Sequence, residues 1–205
     1  MSIFDILGLN SPFRIDGKRL YIRPLKRKEV EIIKTWFEDK ELISHAFGVI
    51  ARNDTLEKIS SEYMKDIFLV STEILGIFLN SGELIGFINY SMKSGRHTKR
   101  ARLGIVIGRE AKRQQGYGKE SLNLALFYLF NIHGVDIVEL DTASFNLRAQ
   151  NCFLSCGFQI VRETTDINLI TGELIHKIDM ILEREDFFLD IAERFEELPK
   201  AGTCQ

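Results

Sequence analysis

Leu103-Gly104-Ile105-Val106-Ile107-Gly108, then Arg109-Glu110-Ala111-Lys112, then Arg113-Gln114-Gln115-Gly116-Tyr117-Gly118: the reading of this stretch decides the fold. A β-branched apolar run stops at Gly108. A polar, basic loop follows, and its glycines open into a helical pattern over residues 119–132. Strand, glycine-bearing loop and helix N-terminus, in that order, make a phosphate site on physical grounds. The first turn of a helix has N–H groups without intrahelical partners and the positive end of the dipole. Glycine lets the backbone approach an anion because no Cβ intervenes. Lys112, Arg113 and Lys119 add positive charge at the same place.

The spacing is not the dinucleotide fingerprint Gly-x-Gly-x-x-Gly, and no Gly-Lys-Ser/Thr follows, so it is not a Walker loop. Downstream, Asn146-x-x-Ala149 leads to Cys156-Gly157-Phe158. Together, Arg113-x-x-Gly116-x-Gly118 after such a strand and this second motif resemble the acyl-CoA site of the GNAT N-acetyltransferase superfamily. Two motifs in the right order are more specific than either alone. The resemblance extends, more weakly, from Leu20 to Arg184, and its tone is that of the RimJ/RimL-like branch. The alternative from residues alone is a plain nucleotide-binding module using Arg113 to Gly118, which assigns no role to Asn146.

Composition narrows the class. A chain of 205 residues is expected to form one domain, with residues 1–18 as a leader and 185–205 as a C-terminal helix and tail. Hydrophobic residues at 45% suffice for a core, and a net charge of −2 makes no case for nucleic acid or a membrane surface. Three cysteines without framework spacing read as free thiols in a reducing compartment. Cys152 and Cys156 lie one helical turn apart, but no histidine or second cysteine pair completes a metal site, so core packing is expected. The first residues lack a signal-peptide pattern, because Asp5 interrupts the apolar run and no basic residue precedes it. No apolar run nears the roughly 20 residues of a membrane span. A cytoplasmic protein is expected.

In chain order, Asn10-Ser11-Pro12 and Asp16-Gly17 are turn signals, and residues 20–23 before Pro24 read as a strand. Residues 26–37 and 41–47 carry helical periodicity, and residues 54–64 carry it again with a cap at Asn53 or Asp54. Residues 67–79 and 84–92 read as a hairpin around Asn80-Ser81-Gly82-Glu83. The basic segment 93–100 reads as a solvated hairpin loop, and residues 100–107 as the central strand. After the 119–132 helix come a buried strand at 135–140, a helix at 147–156 capped by Asn146 and Gly157, and strands at 158–164 and 174–182. Residues 185–198 read as an amphipathic helix that packs on its own domain or on a second subunit, which leaves a homodimer open.

Alternating strands and helices with one phosphate-binding strand–loop–helix give an α/β or α+β fold. The resemblance implies a twisted mixed sheet flanked by helices and splayed after its central strand. It implies acetyl-CoA as acyl donor and an amine as acceptor, a protein N-terminus or a small amine. Backbone at Ile105, Val106 and Ile107 would bind pantetheine, since an unpaired strand edge needs partners. The loop Arg113, Gln114, Gln115, Gly116, Tyr117, Gly118 with Lys119 would bind the pyrophosphate, while Asn146, Ala149 and Phe153 would line the cofactor. The Val106 N–H would stabilise the oxyanion. Trp36, His45 and Phe47 fall where the resemblance puts acceptor specificity; core packing for Trp36 and Phe47 and a surface place for His45 are the alternative.

The chain departs from the family at one point. The position that usually carries tyrosine is Phe153, which cannot donate a proton. General acid catalysis is worth about 100- to 10,000-fold, although a thiol with a pKa of roughly 8.5 is a tolerable leaving group unaided. A non-catalytic acyl-CoA-binding regulator is therefore the second reading. The base is unassigned, with Glu83, His97 and Asp141 as candidates.

Overall fold

The computed structural model describes residues 13–49, 52, 55–71, 73–94, 98–168 and 171–189. Among these residues eight strands form one sheet in the order β1-β2-β3-β4-β5-β6-β8-β7. They are β1 (Ile15–Asp16), β2 (Leu20–Pro24), β3 (Glu73–Leu79), β4 (Leu84–Ser94), β5 (Lys99–Ile107), β6 (Ile137–Ala143), β7 (Gln159–Ile167) and β8 (Leu174–Glu183). Every neighbouring pair is antiparallel except β5 and β6. The helices are α1 (Arg27–Trp36), α2 (Lys40–Phe47), α3 (Leu56–Val70), α4 (Tyr117–Phe127) and α5 (Leu147–Leu154).

The sheet separates two apolar cores. On one face α4, the turn that follows it and α5 bury Leu122, Leu126, Leu129 and Phe153 against Ile88, Leu103, Met180 and Leu182. On the other, α1, α2 and α3 bury Ile33, Trp36, Ile43 and Ile59 against Ile74 and Phe87. These sets repeat at three- and four-residue spacing in the helices and at alternate positions in the strands, which is why each element has one inward face. Glu29 closes the start of α1, accepting from the Lys26 N–H at 2.7 Å and from Arg23 at 2.6 and 2.9 Å. Glu120 on α4 accepts from the Arg19 backbone and side chain, both at 2.7 Å, and so ties α4 to β2. One polar group sits deep in the first core: Tyr90 and Tyr128 donate to Glu73 Oε2 at 2.7 and 3.2 Å, and His133 Nε2 lies 3.1 Å from the Tyr90 hydroxyl.

The splay is present. Along β4, β5 is paired from Lys99 to Ile107. Against β6 only Arg100, Ala101 and Arg102 pair, with Ile137, Val138 and Glu139. Beyond Arg102, β6 continues with β8 while β5 bears away.

Several expected boundaries move. Residues 67–70 belong to α3 and not to a strand: Ile67 and Phe68 pack on the second core, and the helix runs on until Ser71 ends it. The β-branched signal there came from a helical face. The hairpin loop at 93–100 shrinks, since β4 reaches Ser94 and β5 begins at Lys99. The helix expected over 119–132 starts at Tyr117 and passes at Tyr128 into a π-helical turn ending at Ile132. Residues 184–189 are helical. The leader's Asn10-Ser11-Pro12, the caps at Asn53 and Asp54, His97 and the remainder of the tail lie outside the described residues.

Candidate active site

Where β5 loses β6, two cavities meet. One, of about 410 Å³, runs along the loop and is lined by Lys112, Gln114, Gly116, Gly118, Lys119 and Cys152 among others. The other, of about 500 Å³, opens over the sheet between α3 and β6. They share Ile105, Val106, Asn146, Ala149, Phe153 and His45 as a common wall. The backbone of β5 is thus the divider between two compartments.

The loop cavity owes its shape to backbone geometry. Trp36 packs so closely on Gly108 that a Cβ there would stand 2.0 Å from the indole. Gly116 sits at φ +79 as the residue preceding α4, a conformation L-residues avoid. Gln114, at φ +60, shares the left-handed region and is the one non-glycine among the described residues to do so. The chain therefore doubles back before α4, and the N–H groups of Tyr117, Gly118 and Lys119 start the helix without acceptors inside it. Lys112, Lys119 and Arg148 line the same space.

Arg113 does something the sequence did not indicate. Its side chain is 9% exposed. Its guanidinium donates to Asp39 Oδ2 at 2.7 Å and to the carbonyls of Ile107 and Gly108, each at 3.1 Å. Asp39 meanwhile caps α2 by accepting from the Leu42 N–H at 3.1 Å. Burial alone would raise the Asp39 carboxyl, but Arg113 and the Leu42 N–H hold it below the usual carboxylate range. Arg113 lines the loop cavity, yet its charge is spent locally. Gln115 also turns away: its amide donates to the Ala111 carbonyl and its carbonyl accepts from Arg19 at 2.8 Å. The Arg19 guanidinium lies 4.5 Å over the Tyr117 ring.

Asn146 caps α5, accepting from the Ala149 N–H at 3.2 Å, and its amide donates to the His45 carbonyl at 3.0 Å. The helix α2 is therefore fastened at both ends, to the loop through Asp39 and to α5 through His45. Phe153 is buried at the cavity wall with its ring 6.1 Å from that of Phe158. A hydrogen bond from Cys156, with Lys119 nearby, holds the Cys152 thiol below the ordinary thiol range despite burial, while its pairing with Cys152 and burial push the Cys156 thiol up.

The sheet cavity carries several polar side chains on a mixed wall. Tyr63 and Asp66 of α3, Asn89 of β4, Arg102 of β5, Asp141 of β6 and Lys177 of β8 line it. Asp141 accepts from Arg102 and lies 3.9 Å from Lys177 Nζ. Burial and the neighbouring carboxylates push the Tyr63 phenol up to about 12, so it is a donor at neutral pH. His45 faces both cavities, and its Nδ1 lies 2.9 Å from the Glu41 carbonyl. That contact requires a proton on Nδ1, so the neutral ring keeps its lone pair on Nε2.

Of the expected acceptor residues, His45 is at the wall. Trp36 is buried behind Gly108 and lines neither cavity. Phe47 ends α2, and its side chain lies outside the described residues. Of the expected bases, Asp141 lines the sheet cavity, while Glu83 sits at the β3–β4 turn, 3.6 Å from Arg109 and 3.7 Å from Lys112. Tyr63, Asp66, Asn89 and Lys177 were not singled out by sequence. A helical period carried past residue 64 would have put Tyr63 and Asp66 on the turn beside Ile67.

The family model for the GNAT acetyltransferase domain matches residues 19–159. Among solved structures, the chain resembles a GNAT-family acetyltransferase from Bacillus anthracis, at 16% identity and a TM-score of 0.65 over 84% of this chain and 99% of that one. It also resembles spermidine N-acetyltransferase from Vibrio cholerae in complex with CoA and spermine, at 20% identity and a TM-score of 0.66, again over 84% and 99%. A ribosomal-protein-S5-alanine acetyltransferase from Vibrio fischeri matches at 12% identity and a TM-score of 0.64 over 85% and 98%. At such identities the likeness speaks for the fold. No curated protein matches the sequence significantly.

Proposed function

The chain belongs to the GNAT acetyltransferase family, and from that premise we propose that it transfers an acetyl group from acetyl-CoA to a primary amine. The observation that carries this reading is the meeting of the two cavities at Ile105 and Val106. A donor in the loop cavity and an acceptor in the sheet cavity would face each other there. The pyrophosphate would take the N–H groups around Gly116 to Lys119, with Lys112 and Lys119 balancing its charge. The pantetheine amides would complete the edge of β5 that β6 abandons.

The acceptor arrives as an ammonium ion and must lose a proton before it attacks the thioester carbon. His45 Nε2 takes that proton, directly or through water, because its tautomer leaves a lone pair at the shared wall. The Val106 N–H stabilises the oxyanion. When the C–S bond breaks, the CoA thiolate takes its proton from water or from Tyr63, since Phe153 has none to give. The acceptor is a protein N-terminus, as for the RimJ/RimL-like branch, or a small amine.

Phe153 favours a second reading, an acyl-CoA-binding protein without turnover. The deciding experiment is free-thiol release from acetyl-CoA against peptides with free N-termini, polyamines and amino sugars. Acceptor-dependent release is expected. CoA binding by calorimetry without release across the panel would favour the second reading, and no CoA binding would overturn both.

A further inference from the structure

Among the described residues the sheet ends at β7, and neither face of β7 is covered. Eight of its nine residues are exposed, including Ile160, Val161 and Ile167 at 51, 54 and 60%. An open edge of this length is a row of unpaired backbone donors and acceptors, which natural sheets ordinarily shorten, cover or pair. The sequence along it is self-complementary. Val161-Arg162-Glu163-Thr164-Thr165-Asp166-Ile167, laid antiparallel on itself about Thr164, sets Arg162 opposite Asp166, Val161 opposite Ile167 and Thr164 opposite Thr164.

The charges behind the edge match. Arg162 Nε lies 2.7 Å from Asp179 Oδ2, and Lys177 Nζ lies 3.0 Å from Asp166 Oδ2 and 3.9 Å from Asp141 Oδ2. Asp141 in turn accepts from Arg102. One row therefore alternates positive and negative from Arg102 on β5 through Asp141 and Lys177 to Asp166 at the edge. The row stops on a carboxylate that is 60% exposed, and Arg162, 69% exposed, has its second guanidinium edge to offer.

We propose that β7 pairs antiparallel with β7 of a second copy of this chain about a two-fold axis at Thr164. Arg162 of each copy then continues the row that ends on Asp166 of the other. The contact is isologous, so it closes as a dimer and does not grow into a fibre. Because the row begins in the sheet cavity, pairing would also steady Lys177 and Asp141 there. The inference does not depend on the acetyl-transfer reading.

Sedimentation velocity on the full chain tests it. The wild type should be a dimer that weakens with salt. Arg162→Asp and Asp166→Arg each set like charges across the axis and should each be monomeric, with cooperative melting by circular dichroism showing that they fold. Mixed in equal amounts, the two variants present opposite charges at both positions and should dimerise again. A monomeric wild type would mean that the edge is covered by the chain itself or left open, and overturns the proposal. So do variants that dimerise as the wild type does, which would place the interface elsewhere. Monomeric variants whose mixture fails to dimerise overturn the register and the proposal with it.

Discussion

Arg113 and Asp39 lie 74 positions apart in the chain, and Arg113 Nη2 donates to Asp39 Oδ2 at 2.7 Å. That bond joins the loop after β5 to the helix that roofs both cavities. Asp39→Asn keeps a capping oxygen but loses the charge, and should cost about 1.5 to 3 kcal/mol, the range for a hydrogen bond to a charged group. Asp39→Ala also loses the cap and should cost roughly 0.5 to 2 kcal/mol more. Urea midpoints at constant slope measure both. Equal losses would mean that the cap contributes nothing.

Gly116 precedes α4 at φ +79, with Arg19 Nη2 3.3 Å from where a Cβ would stand. Gly116→Trp should strain the turn and fill the proposed phosphate site, weakening CoA binding about tenfold or more, or about 1.4 kcal/mol. Calorimetry decides it, and an unchanged dissociation constant would sink the loop assignment.

His45 lines both cavities with Nε2 unprotonated in its neutral tautomer. His45→Gln should lower kcat about 100-fold or more, while the CoA dissociation constant stays within a factor of about two. Retained kcat would remove His45 as the base and leave the task to Asp141, to Asp66 on the facing wall or to solvent.

Phe153 stands at the shared wall without a hydroxyl. Phe153→Tyr should raise kcat, by up to about 100-fold where thiolate departure limits the rate. An unchanged kcat, with the variant still folded, would show that the thiolate leaves readily unaided.

Burial raises the Glu73 carboxyl above its ordinary value, against two phenol hydrogen bonds that lower it. As pH rises past the ordinary range near about 4.3, the unfolded chain loses this proton before the folded one. Stability from this group is thus complete below that range and declines as pH climbs through the folded value. Glu73→Gln cannot ionise. The melting-temperature difference, variant minus wild type, should become more positive from about pH 4 to about pH 7. A difference independent of pH would show that Glu73 titrates normally.

Much of this architecture was legible in the chain itself. The strand from residue 103, its glycine loop and the helix after it are set by β-branched runs, turn glycines and helix starts, which act within a few residues. Asn146 as a cap is equally local, and so is the absence of a hydroxyl at Phe153. Tertiary structure decided what those residues face. Arg113 reads as phosphate charge until folding brings Asp39 to it, because a guanidinium takes whichever carboxylate the fold delivers. Trp36 reads as an acceptor aromatic until Gly108 is found beneath it. The splay of β5 from β6 leaves no periodic trace, since β5 runs on as an apolar strand past Arg102, where its pairing with β6 ends, and without it the two cavities have no wall in common. Residues 67–70 carry strand-like side chains and end in a helix, because the core beside α3 takes up Ile67 and Phe68 and that burial outweighs the segment's intrinsic preference.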